Sequence, residues 1–451
     1  MKNIIFTILL ALFFSGCAAI SGYESDIQSY NQQILQRDCG FDDDKKAIEN
    51  GNDVLYVALK AGMRARICKE YELSNNFFDI AESRYKNDVD LKSFFASIGD
   101  GVSGTFLNSN SLDYDGRFYE RIMINVYKAL NFMALGKFDY ARVELNRALN
   151  RQERAKEYYV DEILKAQNLL NDKAKSRNQI GFSDSQISKL SNIYTQNIQA
   201  IYPNFINPFA TYLSGLFFML ENDKKGYELL KESLEMQPSN LAIKQDIKFA
   251  KSGKKEPQIW LIYENGQSAG LKEEVFHIPL FLFSDEVYHA GIALPVLTSP
   301  KQSYMNLELN GQKTSQVADM NAIIQTEFAK ISPILIRKEI LRALFKSALQ
   351  YSASQISQRR CDSYGRCYDD LNPLAMLFGI YSAITTKADI RYIPTMPSNF
   401  QSVRVPNLGN AMIKDDNGAV LLNLQTDKNK NTIIYLKSLT KGFFEFDKIE
   451  F

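Results

Sequence analysis

The residues best suited to chemistry are few: five cysteines and two histidines in 451 residues. Four of the cysteines lie beyond residue 17, an even number that in an oxidising compartment calls for pairing. Cys361 and Cys367 flank the turn-like stretch Asp362 to Arg366, which contains Gly365, and a disulfide closing that loop is expected; Cys39 and Cys68 are then left to pair with each other. A metal centre is not expected, because no pair has CxxC spacing and His277 and His289 are the only imidazoles. Both histidines fall in alternating stretches and read as packing or hydrogen-bonding groups. There is no GxSxG, HExxH, Walker A or dinucleotide fingerprint. The glycine-rich stretch Gly99 to Gly104 lacks the lysine of a phosphate-binding loop and reads as a connection. Carboxylate pairs such as Glu273-Glu274 and Asp369-Asp370 adjoin in sequence instead of facing across a cleft, and the second suits a helix N-cap before Pro373. An enzyme is not expected, nor a cofactor. Lys plus Arg 53 against Asp plus Glu 52 gives a net charge of +1, which argues against a nucleic-acid partner.

The remaining cysteine sits at the end of an N-terminal signal. Met1-Lys2-Asn3 gives a short positive start, Ile4 to Phe14 is apolar except for Thr7, and Ser15-Gly16-Cys17 follows. Such a run is too short to cross a hydrocarbon layer of about 30 Å as a helix and reads as a secretory segment, residues 1–16. Phe14-Ser15-Gly16-Cys17 resembles the lipobox of bacterial lipoproteins, in which the cysteine is acylated and becomes the mature N-terminus. Ala18 follows in place of the aspartate of inner-membrane retention, so the resemblance implies the periplasmic face of the outer membrane. Residues 17–44, rich in Ser, Gln, Asn and Tyr, read as anchor and partly helical tether.

The elements that must position any binding surface come next. Ile122 to Arg151 places apolar residues at Ile122, Val126, Ala129, Leu130 and Met133, then at Phe138, Ala141, Leu145, Ala148 and Leu149. Steps of three and four predict two amphipathic helices, and Gly136 predicts the reversal between them. Small Ala129, Ala141 and Ala148 allow close approach, the pattern of a tetratricopeptide (TPR) hairpin. Asn207 to Asn240 repeats it with Ser214, Gly226, Leu230 and Ser233, and Asp53 to Tyr85 gives a degenerate first copy. The two regular copies lie 85 residues apart, not a multiple of the roughly 34-residue TPR period, so helices at Glu153 to Leu170 and Ser183 to Ile201 are expected as an insertion.

Helical patterning stops at Ser252-Gly253. Strands are predicted at Gln258 to Glu264, Glu274 to Phe283, Ile292 to Leu297, Ser303 to Leu309, Phe400 to Val405, Ala419 to Leu424, Thr432 to Leu436 and Gly442 to Phe446. Two helices interrupt them, Met320 to Tyr351, kinked or broken at Ser332-Pro333, and Asp370 to Thr386. The fold class is therefore α+β: a TPR-like α-solenoid over 45–251, then a β-rich domain over 252–451 with two covering helices.

Five stretches in order resemble a family of uncharacterised bacterial TPR-type outer-membrane lipoproteins, often encoded beside activator-like lipoproteins of penicillin-binding proteins. They are Tyr114-Asp115-Gly116 with Phe118 to Glu120, Ala141 to Ala148, Asn207-Pro208-Phe209 with Tyr212 to Gly215, Trp260 to Gly266, and Ala388 to Tyr392 before Pro394. The resemblance implies an envelope location and a non-enzymatic role. The expected function is a lipid-anchored periplasmic scaffold whose hairpins bind protein partners in an envelope assembly, such as cell-wall synthesis machinery or a periplasmic accessory structure of a flagellar motor. Asn125, Lys128, Asn131, Glu144 and Arg147 are the expected partner contacts. A different expectation is a lipid or glycan carrier using aromatics Trp260, Tyr263, Phe276, Phe281 and Phe283.

Overall fold

The computed structural model describes residues 23–85, 114–176, 206–253, 256–279, 289–355, 359–361, 367–369 and 387–451, with isolated positions between 189 and 202. Helices come first: α1 (Glu24–Gln36), α2 (Asp42–Glu49), α3 (Val54–Ile67), α4 (Tyr71–Arg84), α5 (Phe118–Ala134), α6 (Phe138–Ser176), α7 (Pro208–Leu220), α8 (Lys225–Met236) and α9 (Leu241–Ser252). The pairs α3/α4, α5/α6 and α7/α8 are hairpins, and consecutive hairpins pack on one another. Gly136 turns α5 into α6 with φ +70, the left-handed conformation expected there. In the third hairpin the absence of a side chain is required: a Cβ on Gly226 would lie 2.3 Å from the backbone nitrogen of Met219. Among the described residues no helix is long and apolar enough to cross a membrane.

Two differences from the sequence reading concern helices. The break expected near Arg151 is absent, and α6 runs unbroken from Phe138 to Ser176. No glycine or proline interrupts that stretch, so nothing local ends the helix. The expected tether is largely part of the body: Ile27, Tyr30 and Ile34 form a buried stripe on α1 at helical spacing. Tyr30 and Ile34 pack against Leu439 and Phe443, and Arg37 just beyond α1 pairs with Glu445 at 2.6 Å.

After Gly253 (φ +64) closes α9, the chain forms strands β1 (Gln258–Asn265), β2 (Leu271–Pro279), β3 (His289–Leu297), β4 (Glu308–Leu309), β5 (Gln312–Lys313) and β6 (Ser315–Asp319). Helix α10 (Met320–Gln355) follows, continuous through Pro333, then β7 (Arg359–Cys361), β8 (Cys367–Asp369), β9 (Asn399–Pro406), β10 (Asn410–Lys414), β11 (Val420–Gln425), β12 (Thr432–Thr440) and β13 (Phe443–Glu450). A five-stranded sheet has the order β13-β12-β1-β9-β6, and a four-stranded sheet the order β11-β10-β4-β5. The central pair β1/β12 is parallel and β1/β9 is antiparallel. The expected helix at Asp370 to Thr386, and the glycine-rich stretch at 99–104, lie outside the described residues.

Every residue of β1 is buried, because both faces are covered. Ile259, Leu261 and Tyr263 point toward the four-stranded sheet and join Leu307, Leu309, Ala411 and Ile413. Trp260 and Ile262 point the other way, into a cluster shared with α3, α5 and α7. The structure is thus mixed α+β in three layers, helices, sheet and sheet. The expected division at residue 251 is not a division of the core, since one cluster spans both sides of it.

Candidate functional site

The five-stranded sheet packs against the helical layer, meeting α5, α7 and α9. Helix α3 is buried everywhere except Val57. Helix α5 is buried except at Arg121, Phe132 and Ala134, and α7 from Pro208 to Phe218. Phe209 of α7 stacks on Phe400 of β9 with ring centroids 3.6 Å apart. Tyr212 donates to Asp246 Oδ2 at 2.9 Å, and the indole N–H of Trp260 donates to Asp246 Oδ1 at 3.0 Å. Arg404 closes the same carboxylate with an ion pair at 3.1 Å.

At the centre of this seam stands Glu264, the residue after Tyr263 on β1 and fully buried. The phenol of Tyr127 on α5 donates to it at 2.8 Å, and Tyr435 and Lys437 of β12 donate to it as well. Lys437 also donates to the Thr395 carbonyl at 2.7 Å. Burial holds both phenols far above their ordinary range, so they remain protonated donors. Burial pulls the Lys437 ammonium down, against the Glu264 charge that supports it. Beside this cluster Arg66 of α3 pairs with Asp447 of β13 at 2.9 Å and donates to Asn131. The donors and acceptors are saturated by one another and closed from solvent. This arrangement clamps two layers.

A second clamp surrounds Arg391, which pairs with Asp389 and with Asp53 at 2.8 Å each and lies over the rings of Tyr23 and Tyr114. Nearby, Glu120 accepts from the backbone N–H of Arg117 and from Tyr114, both at 2.9 Å, while Glu327 of α10 accepts from the first N–H groups of α5, Phe118 and Tyr119. These carboxylates satisfy the open end of a buried helix. Burial pushes the Glu120 carboxyl up from 4.5 to about 7, opposed by Arg117 and by its hydrogen bonds. The folded protein therefore holds a proton that the unfolded chain releases above about pH 4.5. Its contribution is fully present below that pH and is lost as pH rises through about 7. Urea unfolding at pH 5 and pH 7.5 is expected to show a loss of about 2 kcal/mol from this group. Glu120→Gln is expected to remove most of that difference, and an unchanged pH dependence would assign it elsewhere.

The expected partner contacts are corrected by the structure. Asn125, Lys128, Asn131 and Glu144 are buried. Lys128 pairs with Asp79 at 2.7 Å, Glu82 at 2.8 Å and Glu144 at 3.1 Å, and Asn125 donates to Glu144 at 2.6 Å. Asn131 donates to Ser74 and Asn75. The reason is that α4 of the preceding hairpin packs across this face of α5, so polar groups read as outward meet carboxylates of the chain itself. Only Arg147 keeps an exposed side chain, 53 % accessible, while donating to Glu144 at 2.8 Å.

Cys39 and Cys68 form a disulfide, joining the α1–α2 connection to the residue after α3. Cys361 and Cys367 are directly opposite in the β7/β8 ladder, and their side chains lie outside the described residues. His277 and His289 stand on β2 and β3, again without described side chains. No group of three His, Cys, Asp or Glu among the described residues is placed to hold a metal ion. Cys17 lies outside the described residues.

Comparison with known protein families, characterised proteins and solved structures finds no match for this chain. The reading rests on its own residues. Of the aromatics that a carrier would use, Trp260 and Tyr263 are core residues, Phe276 packs edge-on against Tyr194 at 5.7 Å, and Phe281 and Phe283 are outside the described residues. The clamp residues Glu264, Tyr127, Lys437, Arg66 and Arg391 were not anticipated. Trp260 to Gly266 and Ala388 to Tyr392 were marked by their resemblance, yet nothing in their spacing announced a charge at the end of a buried strand.

Proposed function

We propose that the protein is a non-enzymatic envelope scaffold, lipid-anchored through Cys17 at the periplasmic face of the outer membrane, with TPR-like hairpins that present their outer face to protein partners. The observation that carries this reading is the filled inner face: the sheet occupies the side on which such hairpins hold a peptide, and the buried charges of that seam are spent on one another. The Cys39–Cys68 disulfide supports an oxidising compartment.

The outer face carries a feature suited to a protein contact. Tyr140 and Val143 on α6 are 61 % and 47 % exposed. Tyr140 stacks on Phe132 of α5 at 5.2 Å, and the exposed Arg147 side chain lies one turn beyond Val143. An aromatic anchor with an adjacent arginine is the composition of an interface hot spot. Cross-linking of the full lipoprotein in outer-membrane preparations, wild type against Tyr140→Ala/Arg147→Glu, tests this. The variant is expected to lose about tenfold or more of its cross-linked partner. An unchanged cross-link pattern would remove α6 as the interface.

A further inference from the structure

A partly open pocket lies where the start of α5, α10 and the β2/β3 pair meet, and its polar lining is left without acceptors. Arg117, Tyr119 and Tyr392 all border it. Among the described residues no hydrogen bond engages the Arg117 guanidinium, the Tyr119 hydroxyl or the Tyr392 hydroxyl; Arg117 lies over the Tyr114 ring at 5.9 Å with Asp389 and Glu120 nearby, and Tyr119 has Glu120 and Glu327 nearby. Glu327, the fourth polar residue of the lining, is not available, since both its oxygens accept from backbone N–H groups of α5. The rest of the wall is apolar, including Leu271, Leu297, Phe328 and Ile331. The cavity is small, about 20 Å³.

We infer that this pocket binds the head group of an amphiphilic monocarboxylate, with the carboxylate taken by Arg117, Tyr119 and Tyr392 and the apolar chain lying along the open side. A guanidinium presents paired donors in the geometry a carboxylate accepts, and two phenols add donors of fixed direction. Neighbouring Glu327 and Glu120 disfavour a group of higher negative charge, such as phosphate. The apolar wall rewards a hydrocarbon tail by its burial. Neither phenol has a hydrogen-bond partner among the described residues, so removing both oxygens leaves those contacts in place.

The test is calorimetric titration of the purified full chain with decanoate, acetate and inorganic phosphate. Decanoate is expected to bind at least tenfold more tightly than acetate, and phosphate more weakly than either. Tyr119→Phe/Tyr392→Phe is expected to weaken decanoate binding about tenfold with an unchanged melting temperature, and Arg117→Gln to abolish it. No binding of decanoate, equal affinity for acetate, tighter binding of phosphate, or undiminished binding by the double phenylalanine variant would each overturn the assignment.

Discussion

Glu264→Ala is expected to destabilise the protein by about 3–5 kcal/mol, read as a shift of the urea unfolding midpoint at pH 7. The change removes the one carboxylate to which Tyr127, Tyr435 and Lys437 all donate. Among the described residues it strands an ammonium that retains only the Thr395 carbonyl, leaves the Tyr435 phenol without an acceptor, and leaves the Tyr127 phenol only the Met396 sulfur at 3.9 Å. Each stranded hydroxyl alone costs about 1–3 kcal/mol, so the estimate does not depend on the ion pair being favourable in itself. The control is Glu264→Leu/Lys437→Met, which empties the site of charge. It is expected to recover a substantial part of the loss, because the penalty lies in the unpaired charge more than in the absent attraction. A single variant that loses less than about 1 kcal/mol would show that the helices and the sheet hold together without this clamp.

Cys17→Ser is expected to release the protein from the membrane fraction entirely. Serine keeps the size of the side chain and removes only the sulfur that lipidation uses. Each buried methylene of an acyl chain contributes about 0.8 kcal/mol, so several chains make attachment irreversible on any experimental timescale, and their loss removes that attachment. Fractionation should show the change from pellet to supernatant, and intact mass of the mature wild-type chain should show the added lipid. A wild-type protein with an unmodified first residue would end the anchoring proposal and the scaffold reading that depends on it.

What the sequence made legible was whatever is decided locally. The α5/α6 turn follows from Gly136 and from two apolar series of fixed step, and both appear where they were read. The strands β1, β9, β12 and β13 follow from short runs of β-branched and aromatic residues. Weaker strands escaped: β10 is short and polar at both ends, and β6 lies in a stretch with no clear alternation. The partner site was misread for a reason of another kind. Asn125, Lys128, Asn131 and Glu144 are polar, and a helical wheel assigns polar residues to water. Here Lys128 finds three carboxylates, two of them more than 40 residues earlier in the chain. Such partners are a property of tertiary packing, and no spacing within one helix reveals them. The same holds for Arg391 and Asp53, which lie far apart in sequence and meet only because α3 begins beside the segment that precedes β9.

The docking of α1 has a mechanical consequence. If the anchor pulls on the body, tension arrives first at a helix whose residues rest on the final two strands of the chain, through Tyr30, Ile34 and the Arg37–Glu445 pair. A load that peels this helix away reaches the Cys39–Cys68 link next, and the covalent bond passes it directly to the end of α3 without extending the residues between. From α3 it enters the seam through Arg66 and Asp447, so the strain is borne across the layers by many contacts in parallel. The end that the proposed anchor would load is thereby the reinforced end.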